Sequence, residues 1–344
     1  MKTLFYILVF VLLSSCSSSI ENEHETIDIT QENKWINVEK PYPEGQDGMF
    51  PLVNKPIYKT VSEMTNLKDS DRVAIVSYHN RIKVYPYLYV NKSEIVNDSI
   101  GKYFYAVSYC PQTKSAINFN RIVQNDTLDL VASGYLYKDN MVPSDKDYNL
   151  YWSQMLMKGI TANADFRNLK TSNLIQTNWK TVVSHFSKAK VYYYEGDIIT
   201  PRKEIQNLNS KSNTEINNAD EVFAIVDNFN NTVKDLSIIA YPLKTFSEQT
   251  VLKELIIDSE KTVLLVNKEN YFYTTYKVPN GLVMHIENSS FPPVLGDNEG
   301  NEWNAFGYAI SGPRKGHQLQ SSKSYIASWW AFKDFFKEKI TIKN

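Results

Sequence analysis

Cysteine is scarce in this chain: 344 residues include two, Cys16 and Cys110. A chain with so few cysteines is not a small disulfide-stapled scaffold, so its fold must depend on a hydrophobic core. Without a leader and a polar tether as far as about residue 33, about 310 residues remain, which is enough to bury such a core and to form two domains.

An excess of charge is also absent, since 37 Lys and Arg balance 38 Asp and Glu for a net charge of −1. Composition therefore forces no basic face, and we do not expect nucleic acid as a partner. Glycine is limited to 12 residues, with no Gly-rich phosphate loop, dinucleotide fingerprint or GxSxG motif. The five histidines form no i, i+3 or i, i+4 pair and no HExxH, so the residues alone predict no metal site and no cofactor.

Long apolar runs are absent beyond the N-terminus, where Lys2 precedes the run Leu4–Leu13. This run is too short to span a bilayer as a helix and fits the hydrophobic region of a signal peptide. The following Leu13-Ser14-Ser15-Cys16 matches the lipobox of bacterial lipoproteins. We therefore expect a lipoprotein signal peptide over residues 1–15 and acylation of Cys16, with palmitate-type chains as the anchor.

Residues 16–54 begin with a polar stretch that is typical of a flexible tether. The expected location is the bacterial cell envelope, with the membrane as a partner through the N-terminal lipid. Ser17, in place of Asp, favours the outer membrane.

Aromatic and β-branched residues dominate the rest of the chain, and the predicted fold is mainly β (α+β). RVAIVSY (Arg72–Tyr78) and YFYAVSY (Tyr103–Tyr109) are examples of predicted strands. Apolar residues at helical spacing predict two helices, Thr177–Lys188 and Ser324–Lys339, with Thr177 and Ser324 as caps.

The two predicted helices belong to a loose internal repeat. The segment that begins at Trp152 resembles the segment that begins at Trp303. Each is followed by a predicted helix that contains a Trp, which is Trp179 in the first copy and Trp329 in the second. This recurrence indicates duplication of one β-rich unit, each copy with a packing helix. We place a first β-rich unit, with the candidate site, over residues 55–206 and a second, related unit over residues 207–344, with the polar stretch 207–218 between them.

Cys110 ends a predicted strand, because Pro111 cannot continue it. Alternation places Cys110 on one face with Ala106 and Ser108. Two interpretations stay open. A thiol whose pKa is lowered by Lys114 could be a nucleophile or ligand at a cleft, whereas free cysteine is often a small buried hydrophobe.

Further candidate residues are polar or aromatic. Glu94, Asn97 and Asp98 form a polar cluster in which the two carboxylates could share a helical face as acid and base, or could belong to a capped turn. Aromatic and amide side chains that could form a carbohydrate or peptide groove, or pack a core, are Tyr137, Asn140, Trp152 and Gln154.

Several motifs together carry a family resemblance over about residues 71–337. EIVND (Glu94–Asp98), YCPQTKSA (Tyr109–Ala116), SGYLY (Ser133–Tyr137) and YWSQ (Tyr151–Gln154) resemble the bacterial and archaeal domain-of-unknown-function family three-one-seven-nine. The resemblance implies a Cys-Pro-x-Cys-x-Ser pattern and a His before the Glu of EIVND, which together would suit a soft metal or redox chemistry. This chain has Thr113 in place of the second Cys and Ser93 in place of the His.

Three hypotheses for the function follow. The first is an envelope lipoprotein that binds an envelope partner or a small ligand, in which the metal or thiol site of the family is degraded. The second is an envelope enzyme that uses Cys110 as a lone thiolate with Glu94 nearby. The third is a surface glycan-binding protein, suggested by 23 Tyr and 6 Trp.

Overall fold

The computed structural model describes residues 50–123, 125–145, 147, 150–160, 169–196, 216–227 and 236–343. The signal peptide, Cys16 and the tether as far as residue 49 lie outside the described residues, as do residues 207–215 of the predicted linker. Strands dominate the described part, so the prediction of a mainly β fold is confirmed. No helix in these ranges is both long and apolar enough to cross a bilayer.

The first half is a series of short strands with two α-helices. In chain order these elements are β1 (Ile57–Thr60), β2 (Arg72–Tyr78), β3 (Arg81–Pro86), α1 (Tyr87–Val90), β4 (Ile95–Ile100), β5 (Tyr103–Cys110), β6 (Ser115–Asn120), β7 (Ile122–Val123), β8 (Asp126–Thr127), β9 (Leu130–Tyr137), β10 (Asn140–Asp145), β11 (Trp152–Ser153), β12 (Lys158–Gly159), β13 (Thr171–Ser172), β14 (Ile175–Asn178), α2 (Trp179–His185) and β15 (Lys190–Tyr193).

Within its described residues, the second half has fewer strands than the first and one α-helix. Its elements are β16 (Glu221–Asp227), β17 (Ser237–Pro242), β18 (Thr250–Ile257), β19 (Glu260–Asn267), β20 (Phe272–Lys277), β21 (Met284–Asn288), β22 (Val294–Asp297), β23 (Glu302–Trp303), β24 (Ala309–Ser311), β25 (Ser324–Ser328), α3 (Trp329–Phe336) and β26 (Ile340–Ile342). Single 3₁₀ turns occur in both halves, at Val61–Glu63, Leu243–Thr245 and Lys337–Lys339.

The sheets of the two halves have corresponding strand orders. One sheet runs β1-β15-β3-β2-β14, and another runs β25-β16-β17-β26. In both, the last strand of the half is parallel to the second strand of the central hairpin, β15 to β3 and β26 to β17. Each half also has an antiparallel meander, β4-β5-β6 and β18-β19-β20. This recurrence is what a duplication would produce, and the duplication itself stays a prediction.

The two halves share their hydrophobic cores. One cluster contains Val84 and Val107 of the first half together with Leu265 of the second. A second cluster contains Cys110 together with Val222 and Trp329. A boundary drawn at residue 207 therefore does not separate two independent cores.

Both predicted helices are shorter than expected. α2 begins at Trp179, and Asn178 rather than Thr177 is its cap, with Asn178 Oδ1 accepting a hydrogen bond from Thr181 N at 2.9 Å. The predicted start at Ser324 was wrong, because Ser324–Ser328 forms β25 and pairs with β16. Residues 325–327 are buried on both faces of that strand, which is why an apolar run there suits a strand as well as a helix.

Candidate functional site

Cys110 lies at the C-terminal end of β5, opposite Ser115 across the β5–β6 hairpin. The hairpin turn ends at Lys114, which has a φ of 56°, and Pro111 follows the strand as predicted. The predicted alternation is confirmed: Ala106 and Cys110 face one core cluster, and Tyr105 and Val107 face the other. Cys110 is 2 % exposed, so the thiol is inside the protein.

Around the hairpin turn, polar side chains from three hairpins form one buried hydrogen-bond network. Thr113 Oγ1 lies 2.8 Å from Ser115 Oγ. Asn140 Nδ2, at the start of β10, donates to Thr113 Oγ1 at 2.9 Å. Ser115 Oγ donates to Gln154 Oε1 at 2.6 Å. The predicted residues Asn140 and Gln154 therefore do come together beside the Cys110 hairpin.

The Gln154 amide is the centre of this network. Its Oε1 also accepts from Asn140 Nδ2 at 2.8 Å, and its Nε2 donates to Ser108 Oγ at 2.9 Å. Asn140 Oδ1 in turn accepts from the Met155 N–H at 3.2 Å. Both amides are committed to internal partners, so the network satisfies itself without an added ligand.

Glu94 is the acidic neighbour of the thiol. The residue is buried just before β4 in a left-handed backbone conformation, and its carbonyl oxygen accepts a hydrogen bond from Tyr109 N at 2.8 Å. Burial raises the pKa of Cys110, the Glu94 carboxylate raises it further, and contacts with Thr113 lower it only in part. The pKa of Cys110 is therefore raised overall, whereas the sequence suggested a pKa lowered by Lys114. Burial likewise raises the pKa of Glu94 to about 8, so both groups are protonated near pH 7.

The second half of the chain covers this site. Ser328 N, at the start of α3, donates to the carbonyl oxygen of Thr113 at 2.9 Å. The Tyr325 hydroxyl of β25 donates to the carbonyl oxygen of Met155 at 2.9 Å. Trp329 is buried in the same cluster as Cys110. Residues about two hundred positions away in sequence therefore contribute to the core around the thiol.

The residues present do not fit a soft metal or a dithiol. In the described ranges, no group of three His, Cys, Asp or Glu side chains could hold a metal ion. Ser93 is buried beside Tyr192, and Thr113 is bonded to Ser115 and Asn140. Hydroxyls at these two positions are poor ligands for a soft metal, and one thiol cannot cycle as an intrachain disulfide.

Asp98 belongs to a different cluster from Glu94. Lys83 Nζ lies 2.8 Å from each Asp98 carboxylate oxygen. Ser99 N donates to Oδ1 at 2.7 Å, and three tyrosine hydroxyls donate to Oδ2, from Tyr58, Tyr85 and Tyr105. The shared helical face for Glu94 and Asp98 was therefore wrong, because this segment is a strand and the two carboxyls serve separate clusters.

The tyrosines around Asp98 are neutral donors. Burial and the Asp98 charge raise the pKa values of Tyr58, Tyr85 and Tyr105. Burial lowers the pKa of Lys83, and the contact with Asp98 opposes that shift. The carboxylate is saturated by these partners, which indicates a buried ion pair that stabilises the fold.

The remaining predicted residues have structural contacts. The Asn97 amide bonds the main chain of Leu130 at 2.7 and 2.9 Å and of Val53 at 3.1 Å. The Tyr137 ring packs edge-on against Phe335 with centroids 5.3 Å apart. Trp152 is 0 % exposed, so its ring cannot contact a ligand in solvent. These residues do not form the aromatic groove that the sequence suggested.

A comparison with family models now adds to this geometry. The model described as "Protein of unknown function (DUF3179)" matches residues 46–339. The chain belongs to this family. The DUF3179 match includes both halves, in agreement with the shared cores. Searches of curated proteins and of solved structures gave no match.

Sequence reasoning missed two parts of this DUF3179 site. Ser108 and Ser115 were not singled out, although alternation in β5 already placed Ser108 on the Cys110 face. The cover from β25 and α3 had no local signal, because it depends on pairing between distant segments.

Open concave surface lies elsewhere. Three surface cavities have volumes of about 540, 360 and 310 Å³, and Cys110 and Glu94 line none of them. The largest of the three lies between segments of the two halves.

Proposed function

We propose that the protein is a lipid-anchored protein of the bacterial cell envelope that binds a ligand or partner, and that Cys110 has a packing role. The observation that carries this proposal is the hydrogen-bond network around Gln154, whose polar groups satisfy one another. Thr113, which stands in place of the second Cys of the family pattern, belongs to this network. The hydroxyls of Thr113 and Ser115 and the side-chain amides of Asn140 and Gln154 are hydrogen-bonded to one another.

The ionisation of the site supports the same conclusion. A catalytic cysteine needs a thiolate and access to its substrate. Here the thiol is buried and its pKa is raised. Glu94 is protonated near neutral pH, so it is a weak base for removing the thiol proton.

The envelope location rests on the sequence. The apolar run Leu4–Leu13 and the lipobox at Cys16 support export and acylation. Globomycin inhibits lipoprotein signal peptidase, so we expect an uncleaved precursor when cells that express the chain are treated with it. A Cys16→Ser chain that fractionates with membranes like the wild type would contradict lipidation. The absence of an uncleaved precursor in the treated cells would contradict it as well.

The packing role is tested by alkylation of Cys110 in a Cys16→Ser chain, in which Cys110 is the only thiol. We expect labelling that is slow at pH 7 and becomes fast only in denaturant. Fast labelling of the native chain, with an apparent pKa well below about 8.5, would favour the envelope enzyme. Circular dichroism before labelling confirms that the chain is folded.

A further inference from the structure

The largest of the three cavities is a groove between the two halves. One side is formed by the end of β2, the start of β5 and the segment at Lys170–Asn173. The other side is formed by Lys277 at the end of β20 and by the segment that leads to β25. Its volume of about 540 Å³ suits a small ligand or one segment of a polymer.

The groove is lined by cations and neutral polar groups. Three lysines line it, Lys170, Lys277 and Lys323, and no carboxylate does. Most of the other lining side chains are hydroxyls and amides, and Leu319 is the one aliphatic side chain among them. Lys277 pairs with Glu260 outside the groove, where the carboxylate is more than half exposed. An anionic ligand can displace Glu260 from Lys277 at a small cost in free energy, because exposed ion pairs are weak.

One wall of the groove is aromatic. Tyr78 and Tyr103 stack with ring centroids 5.6 Å apart and planes 20° from parallel. Asn118 Nδ2 donates to the Tyr103 hydroxyl at 2.9 Å and holds that ring in place. Burial raises the pKa of Tyr103 to about 12, so this ring is neutral at physiological pH.

The floor of the groove is preformed. Asn173 Nδ2 donates to the Tyr276 hydroxyl at 3.2 Å, and Asn173 Oδ1 accepts from Thr274 Oγ1 at 3.3 Å. Lys277 N donates to the carbonyl oxygen of Gln320 at 2.7 Å. The two Asn173 bonds tie the halves together, and the Lys277 bond fixes residue 320 within the second half, so a ligand would not have to order these segments.

The groove continues into the cavity of about 360 Å³. Both cavities are lined by Lys277 and by residues 318–320, and the smaller one adds Lys261, Arg314 and His317. Glu260 also lines the smaller cavity, and Arg314 is paired with Glu299. The two cavities therefore adjoin along Lys277 and residues 318–320.

We infer that this groove binds an acidic saccharide, in which sugar carboxylates meet the lysines and sugar hydroxyls meet the amides and hydroxyls of the lining. The inference rests on the proposed binding role. Amides and hydroxyls match a ligand rich in hydroxyl groups, and a neutral ring face suits a sugar ring. An acidic peptide fits less well, because the lining offers a single aliphatic contact and peptide recognition uses apolar pockets.

The test compares two probes with the same backbone, a tetramer of galacturonic acid and its fully methyl-esterified, uncharged form. Calorimetry on the intact protein at low salt should show binding of the acid and at least tenfold weaker binding of the ester. The double variant Lys170→Gln/Lys277→Gln should weaken binding of the acid by on the order of a hundredfold, since one charged hydrogen bond contributes about tenfold. Lys188→Gln, an exposed lysine outside the groove, is the matched control and should bind like the wild type.

Other outcomes overturn the inference. Equal affinity for acid and ester, or unchanged affinity in the double variant, would contradict the role of the lysines. Binding of hexaglutamate with neither saccharide would assign the groove to an acidic peptide. No binding of any probe would also reject the saccharide. Alkylation tests the proposed packing role of Cys110 independently. A failure of that proposal would therefore be distinguished from a failure of the saccharide inference.

Discussion

Glu94 and Cys110 are buried together at the ends of neighbouring strands, and a charge on Glu94 would raise the pKa of the Cys110 thiol. The pair is held by strand ends: Glu94 precedes β4 and Cys110 ends β5. Two acidic groups in one buried place keep their protons near neutral pH, and this has measurable consequences.

Replacement of Glu94 should remove a pH dependence of stability. The pKa of Glu94 is about 8 in the folded state against an ordinary value of 4.5, so the folded chain keeps a proton that the unfolded chain has lost. The contribution of Glu94 to stability is therefore fully present below about pH 4.5 and is lost as pH rises toward 8. Between pH 5 and 9 the loss should be about 4 kcal/mol, at about 1.4 kcal/mol per pKa unit.

Urea unfolding of Glu94→Gln at pH 5 and pH 9 measures this effect. The variant should lose most of the difference that the wild type shows between the two pH values. Glu269→Gln changes an exposed carboxylate and should keep the wild-type difference. A wild-type chain that is equally stable at both pH values would contradict a buried, protonated Glu94.

Removal of the Gln154 amide should be strongly destabilising. Gln154→Ala leaves the hydroxyls of Ser108 and Ser115 and the amide of Asn140 without one of their partners, all in a buried place. Each unpaired buried group costs about 1–3 kcal/mol, so we expect a total loss of about 3–5 kcal/mol. Gln249→Ala, at an exposed position, should change stability by less than about 0.5 kcal/mol. A loss that small for Gln154→Ala would mean that the network does not support the fold.

The buried ion pair of Lys83 and Asp98 should show coupling. Lys83→Met leaves the Asp98 carboxylate with hydroxyl and N–H donors but no cation, and we expect a loss of about 3–5 kcal/mol. Lys83→Met/Asp98→Asn removes both charges and should lose less than the sum of the two single variants. A double-mutant cycle by chemical unfolding measures the coupling energy. Additive losses would indicate that the two groups do not interact.

Restoration of the family pattern should create a metal site. Thr113 contacts the Cys110 thiol, and Ser93 directly precedes Glu94, so Thr113→Cys/Ser93→His would bring two thiols, an imidazole and a carboxyl near one another. Two thiols and an imidazole are ligands that suit Zn²⁺ if the hairpin turn and the segment before β4 bring them together. The double variant should bind about one equivalent of zinc, whereas the parent should bind none above background. A folded double variant without zinc would contradict a degraded metal site.

Local pattern predicted a substantial part of the fold. Alternation in YFYAVSYC placed Cys110 with Ala106, and Pro111 marked the end of the strand, because both effects act between chain neighbours. The segment 324–328 was misassigned as helix, since a short apolar run fits either structure. Pairing of β25 with β16, which lies about a hundred residues earlier, decided in favour of a strand.

The sequence predicted which residues form the candidate site better than it predicted their contacts and exposure. Asn140, Gln154, Glu94 and Cys110 do converge, but nothing in the pattern separated Asp98 from Glu94. Trp152 was a candidate ligand contact and proved to be fully buried. Exposure of an aromatic residue depends on which distant element covers it, and the sequence alone does not state this.

The sequence by itself determined the β-rich class and the face on which Cys110 lies. These are consequences of residue identity and of strand periodicity. Only the tertiary structure decided that Cys110 is covered by β25 and α3, that Glu94 shares its site, and that a lysine-lined groove forms between the halves. The physical reason is that pKa values, burial and cavities depend on contacts between segments far apart in the chain.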